Sequence, residues 1–152
     1  MTTAEQVGRF AAFARLTAAQ LETVAREARD VEFAAGTTLF QENQSATGCW
    51  LICDGRVSLT TPMPAHDQVV VQTLGAGDVL GWSWLVPPHL WHFTATTDTP
   101  VLAIELDTTQ LRASAERDPA LGYPLALGLM EGLLARLQST RARLLDLYGR
   151  PT

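Results

Sequence analysis

The fold this sequence predicts is mainly β with flanking α: an antiparallel β-roll, a double-stranded jelly roll, with N-terminal helices and a long C-terminal helix. Three observations point to it. Short β-prone runs follow one another from Val31 to about Leu106, namely VEF, TTLF, CWLIC, RVSLTT, QVVVQTL, DVL, HFTAT and VLAIEL. Gly36, Gly48, Gly55, Gly75, Gly77 and Gly81 break these runs, where a positive φ lets one strand fold back on another. Helical spacing appears only on either side of that stretch.

One domain, residues 1–152, accommodates all of it: a helical lead-in over 1–30, the roll over 31–106 and C-terminal helices over 107–149. In the lead-in, Thr17 and Gln20 stand at capping-box spacing, and Leu21, Val24, Ala25 and Ala28 recur at helical intervals, so a helix is expected over 17–29. After the roll, Asp107 with Gln110 caps a short helix. Asp118 followed by Pro119 opens a long one that runs to about Tyr148 and is stopped by Gly149 and Pro151.

The long helix carries two apolar seams, more than a helix lying on one sheet needs. Ala126, Met130, Leu133, Leu137, Thr140, Leu144 and Leu147 step by four and three as in a coiled coil, and Leu127, Leu134, Leu145 and Tyr148 form the second. The expectation is a homodimer in which one seam packs on the roll and the other on a partner helix. Its interface would hold Met130, Leu133, Leu137, Thr140, Leu144 and Leu147.

Composition narrows the function. Of 152 residues 47% are hydrophobic, enough to bury a core and exclude disorder. The 11 basic residues are all arginine and face 16 carboxylates, a net charge of −5 that does not suit a duplex-binding face. No run of 18 apolar residues and no secretory leader is visible, so a cytoplasmic protein without a membrane span is expected. Cys49 and Cys53 read as reduced thiols, two small apolar residues on one strand face.

Catalysis finds no support. There is no Ser, His and acid arrangement, no P-loop, no GxGxxG and no HxH of the kind a cupin enzyme uses. His89 and His92 on a strand would point to opposite faces, so no metal is expected. Asp78 after Gly77 reads as a turn residue.

Five segments in this order, VEFAAGTTLF, CWLICDGRVSLTT, LGAGDVLG, PPHLWHFTATTDTPVLAIE and LARLQSTRARLLDL, resemble the cyclic nucleotide-binding domain of the catabolite activator (CRP/FNR) family over about Phe10 to Gly149. In that family a cassette between two strands holds the cyclic phosphate, with a pattern resembling F-G-E-L and, later, R-S/T-A. Its Glu accepts from the ribose hydroxyl, its Arg neutralises the phosphate and amides of a helical turn add donors. Here the first part reads Leu80, Gly81, Trp82, Ser83 and the second His89, Leu90, Trp91. By the resemblance, Trp82 stands for the carboxylate, His89 for the guanidinium, Leu90 for the hydroxyl and Trp91 for the small residue.

Residues 57–111 contain no Lys or Arg but include Asp67, Asp78, Asp98, Glu105 and Asp107. A buried diester would then rest on helix-end dipoles worth only about half an elementary charge, too little against a desolvation cost of several kcal/mol. Cyclic nucleotide is therefore disfavoured as a ligand, and no other cofactor is implied. Two routes remain open to it: protonated His89 or His92, or Arg136 or Arg141 reaching over the cassette from the long helix. Thr140 matches the position where the family's long helix offers a hydroxyl to adenine at the dimer seam. The family's transcription factors continue into a helix-turn-helix domain, whereas this chain ends at Thr152, so direct DNA binding is not expected.

Trp82, Trp84 and Trp91, with Phe93, make the cassette aromatic. Two functions follow. In one, Gly81, Trp82, Ser83, His89, Leu90, Trp91 and Thr140 bind a ligand, and the dimer helix passes the signal to another protein. In the other, indoles fill a vestigial pocket and the domain is a ligand-free interaction or assembly module.

Overall fold

The structure, a computed structural model, describes residues 3–149. Thr3 starts a one-turn helix, α1 (Ala4–Gly8), through a capping box with Gln6, and a 3₁₀ turn (Ala11–Phe13) follows. Helix α2 (Ala18–Arg26) opens with the expected box: the Thr17 hydroxyl accepts from the Gln20 amide and Gln20 Oε1 from the Thr17 amide. It ends sooner than the expected 17–29. Ala28 and Arg29 belong to strand β1 (Ala28–Phe33), where they pair with Leu106 and Glu105, so ladder hydrogen bonds outweigh local helix propensity.

The remaining strands are β2 (Thr38–Phe40), β3 (Cys49–Asp54), β4 (Val57–Met63), β5 (His66–Leu74), β6 (Val79–Leu80), β7 (Thr94–Thr97) and β8 (Val101–Leu106). They form two antiparallel four-stranded sheets, ordered β1-β8-β3-β6 and β2-β7-β4-β5. Leu51, Ile52, Val57, Leu59, Leu74 and Ile104 are buried in the core.

Two strand expectations are corrected. The register of β3 on β8 shifts between Ile52 and Asp54, so Cys49 is buried and Cys53 exposed rather than both lying on one face. Strand β7 starts only at Thr94, and the stretch carrying His89 and His92 is a loop with a single bridge, Leu90 to Ser45. The alternation of a strand therefore does not govern those two histidines.

Helix α3 (Thr108–Arg117) is capped by Asp107, which accepts from the Gln110 amide as expected. Helix α4 (Pro119–Gly149) begins at the expected Asp-Pro, with Asp118 accepting from the Ala120 amide. Pro151, the second expected stop, lies outside the described residues. Pro124 falls inside α4 and has no N–H to give the Ala120 carbonyl. Gln20 Nε2 of α2 supplies the missing donor at 2.8 Å.

Only Leu121, Leu125, Gly128 and Leu129 of α4 are buried. Gly128 permits the contact, since a Cβ there would lie 2.0 Å from the Ala12 carbonyl oxygen. That close approach fixes which face of α4 meets the 3₁₀ turn, so Leu121, Leu125 and Leu129 face inward and neither expected seam does. Met130, Leu137, Leu144 and Leu147 of the first seam and Leu134, Leu145 and Tyr148 of the second are exposed, while Leu133 is half-buried. By length and composition alone α4 could cross a bilayer. Here its first half packs on the helical layer, Arg15 bonds Glu131, and Arg143 donates to the Val71 carbonyl of β5 at 2.8 Å.

Candidate functional site

Residues 81–93 join β6 to β7 and contain the expected cassette. Gly81 has φ 97°, and a Cβ on it would come within 2.7 Å of the Gly48 carbonyl and 3.0 Å of the Trp91 indole. Only glycine fits both demands. A turn follows, with the Leu85 amide donating to Trp82 and the Val86 amide to Ser83. Trp84 enters the core, 1% exposed, and its Nε1 donates to the Gly81 carbonyl at 2.9 Å. Arg112 of α3 donates to the Trp84 carbonyl.

Beyond a cis Pro87–Pro88 peptide, His89 takes φ 58° and the chain is strapped to residues 43–46. The Ala46 amide donates to His89 O, the Trp91 amide to Gln44 O and the Asn43 amide to Trp91 O, at 2.8–2.9 Å. This strap drives Trp91 inward. Its ring stacks on Phe40 with centres 3.7 Å apart and lies 6.1 Å from Trp50. The Trp50 Nε1 donates to Glu105, whose other oxygen accepts from Arg29 at 2.9 Å.

The candidate residues therefore separate. Gly81, Trp82, Ser83, His89, Leu90 and Trp91 share one loop, but Ser83 and Trp91 are buried while His89 and Leu90 are half-buried. Thr140 is exposed on the outer half of α4 and is not brought to that loop. Phe93 packs against the core, and Trp82 stacks on His92 with ring centres 5.3 Å apart. Among the described residues no cluster of three or more His, Cys, Asp or Glu could hold a metal.

Of the loop candidates only Trp82 borders the cavity, about 340 Å³, that lies between the roll and α4. Gln72, Asp78 and Val79 line its roll side, and Leu129, Gly132, Leu133, Arg136 and Ser139 line the helix side. Of the two arginines left open for the cassette, Arg136 is half-buried and donates to the Val79 carbonyl of β6, not to a cassette residue, and Arg141 is exposed. Burial pulls the Arg136 pKa down and the charge of Asp78 pushes it back up. Asp78 itself accepts from the Gly75 amide at 2.8 Å. Burial also pushes the Cys49 thiol up to about 12, against the smaller effects of Trp84 and Arg136.

A wider hollow, about 630 Å³, opens at the mouth of the roll over Phe40, Trp50 and Trp91, with Arg26, Arg29 and Glu105 around it. The Glu105 carboxylate there is already engaged by Arg29 and Trp50. Gln72 and Ser139 lie within segments that the sequence singles out for strand pattern and resemblance, and Gly132 within the long helix, but nothing in those patterns marks the three as lining a common space. The one available signal was the spacing of Gly128, Gly132 and Arg136 along a single face of α4.

Comparison with known proteins agrees with this architecture. A CRP-like cAMP-activated global transcriptional regulator of Mycobacterium tuberculosis is 24% identical over 143 residues, 94% of this chain and 62% of the regulator. The chain thus spans about three fifths of that relative's length. A structure from Geobacter metallireducens, described as a cyclic nucleotide-binding protein, superposes with a TM-score of 0.82 at 28% identity, covering 90% of this chain and 99% of that one. A cyclic nucleotide-binding domain from Methylobacillus flagellatus shares the fold with a TM-score of 0.81 at 16% identity, over 95% of this chain and 85% of the other. The family model for the cyclic nucleotide-binding domain matches residues 30–118, from the start of the roll to the end of α3, and by that match the chain belongs to the cyclic nucleotide-binding domain family.

Proposed function

We propose that the chain is a non-catalytic regulatory domain whose cassette no longer reads a nucleotide phosphate and whose long helix, paired with that of a second copy, carries the output. One observation bears most of this reading: the Trp91 indole occupies the ground beside Gly81 and is stacked on Phe40 at 3.7 Å. Where the resemblance puts the carboxylate and the guanidinium, the loop offers Trp82 and His89. Activation by cyclic AMP, which names the mycobacterial regulator, is therefore not carried over to this chain.

The output element is supported by exposure. Met130, Leu137, Leu144 and Leu147, spaced as a coiled-coil seam, are each more than half exposed in one chain. Output by such a helix requires a ligand or partner that favours one helix arrangement over another. Thermal melts test the cassette. A ligand at about 100 times its Kd stabilises by about 2.7 kcal/mol, which raises Tm by several degrees in a chain of this size. Cyclic AMP, cyclic GMP and cyclic dinucleotides are expected to leave Tm unchanged, and a rise of that size with any of them overturns the reading.

A further inference from the structure

We infer that the hollow at the mouth of the roll is a binding site for a zwitterion with an apolar body, of the class of an α-amino acid with a large hydrophobic side chain. The inference goes beyond the reading above and stands apart from it, because among the described residues neither Trp82 nor any part of α4 lines this space. At about 630 Å³ the hollow falls within the size range of small-molecule pockets. Phe40, Trp50 and Trp91 form its apolar floor, held by the stacking of Phe40 on Trp91 and by the bond from Trp50 Nε1 to Glu105 at 2.8 Å. Half-buried Leu39 extends that floor.

The rim carries both signs of charge, and the pairing of β1 with β8 sets their order. Arg29 stands across from Glu105 and bonds it, Nε to Oε1 at 2.9 Å. Two residues along, the Asp107 amide donates to the Glu27 carbonyl at 2.8 Å, which brings two carboxylate-bearing residues side by side on the rim. Like charges in that relation repel unless a cation separates them. Asp107 commits one oxygen to the Gln110 amide, so its other oxygen and the Glu27 carboxylate can receive an ammonium group.

The same rim holds Arg26 and Arg29. A guanidinium has five N–H donors in a planar fork. Arg26 gives one to the Thr23 hydroxyl at 3.2 Å, and Arg29 is engaged through Nε and one Nη, so each keeps donors for a carboxylate. An anion alone would meet the carboxylates of Glu27, Glu105 and Asp107, and a cation alone would meet two guanidinium groups. A ligand that carries both groups answers both sets. Its apolar body covers the floor and supplies affinity, while the two charges supply selection.

The test uses the whole chain and three probes of one shape, each titrated by calorimetry: L-phenylalanine, phenethylamine, which lacks the carboxylate, and 3-phenylpropionate, which lacks the ammonium. Phenylalanine is expected to bind at least about tenfold more tightly than either, as loss of a charge-assisted hydrogen bond implies. Arg26→Gln should bring phenylalanine down toward the level of phenethylamine without weakening phenethylamine, and Glu27→Gln should bring it toward the level of phenylpropionate without weakening phenylpropionate. A merely structural role for either residue would lower all three together. Thr47→Trp supplies an independent check. Thr47 is exposed on the rim and serves the Thr108 hydroxyl through its carbonyl, so a bulky side chain is tolerated there and fills the hollow. It is expected to remove binding of all three probes with no loss of Tm. No binding of phenylalanine, binding of either single-charge probe as tight as that of phenylalanine, or binding undiminished in a folded Thr47→Trp protein each overturns the inference. None of these outcomes bears on the cassette, which the melts with cyclic nucleotides test separately.

Discussion

Trp91 shows how much one side chain can decide. The strap to residues 43–46 turns it inward, and stacked on Phe40 it occupies the place where the resemblance puts a small residue. Trp91→Ala removes that ring from a core position and is expected to cost about 3–5 kcal/mol, measured by urea denaturation. Cys49 gives a second residue-level prediction. Its folded pKa is raised from 9.0 to about 12, so the unfolded chain releases the proton first as pH rises. Its contribution is complete below pH 9.0 and lost between 9.0 and about 12, at up to about 1.4 kcal/mol per pH unit. Relative to Cys49→Ala, the wild type should lose stability across that window; parallel curves would contradict it. Thiol reagents at pH 8 should modify exposed Cys53 and spare Cys49 until unfolding. At this scale the sequence was legible where chemistry is local, as at the Thr17 and Asp107 caps or at Gly81. It was not legible at Trp91, whose direction is set by backbone partners distant in the chain.

At the scale of elements, Gln20 joins two helices that the sequence presents as separate. Its Oε1 completes the cap of α2 and its Nε2 serves the Ala120 carbonyl that Pro124 leaves without a donor. Gln20→Glu keeps the cap acceptor and removes the donor, setting a carboxylate against a carbonyl. A loss of about 1 kcal/mol is expected in chemical denaturation, and Gln20→Glu with Pro124→Ala should recover part of it because the ordinary helical N–H returns. The strand runs, the Asp-Pro start of α4 and its long apolar character were readable because each repeats a pattern over many residues. The end of α2 and the inward face of α4 were not. The first depends on pairing with Leu106 and Glu105, the second on the close approach of Gly128 to Ala12. Six of the candidate residues share the loop between β6 and β7 while Thr140 lies on α4, and the cavity beside Trp82 depends on two elements meeting.

Over the whole molecule, burial is uneven. The roll and the first half of α4 share one core, whereas no α4 residue after Leu129 is buried. Arg136 and Arg143 hold the outer half to Val79 and Val71 without covering its leucines. A dimer is expected by sedimentation at micromolar concentration, and Leu137→Glu combined with Leu144→Glu should give a folded monomer, since neither residue touches the core. A wild-type monomer with this half of the helix fully ordered would refute the pairing. An isolated helical stretch of that length is marginal in water. If its protection from amide exchange comes from a second copy, it must rise as the protein is concentrated. The half-covered helix would then make the domain a gauge of its own abundance: scarce copies keep a loosened tail, and plentiful ones stiffen each other.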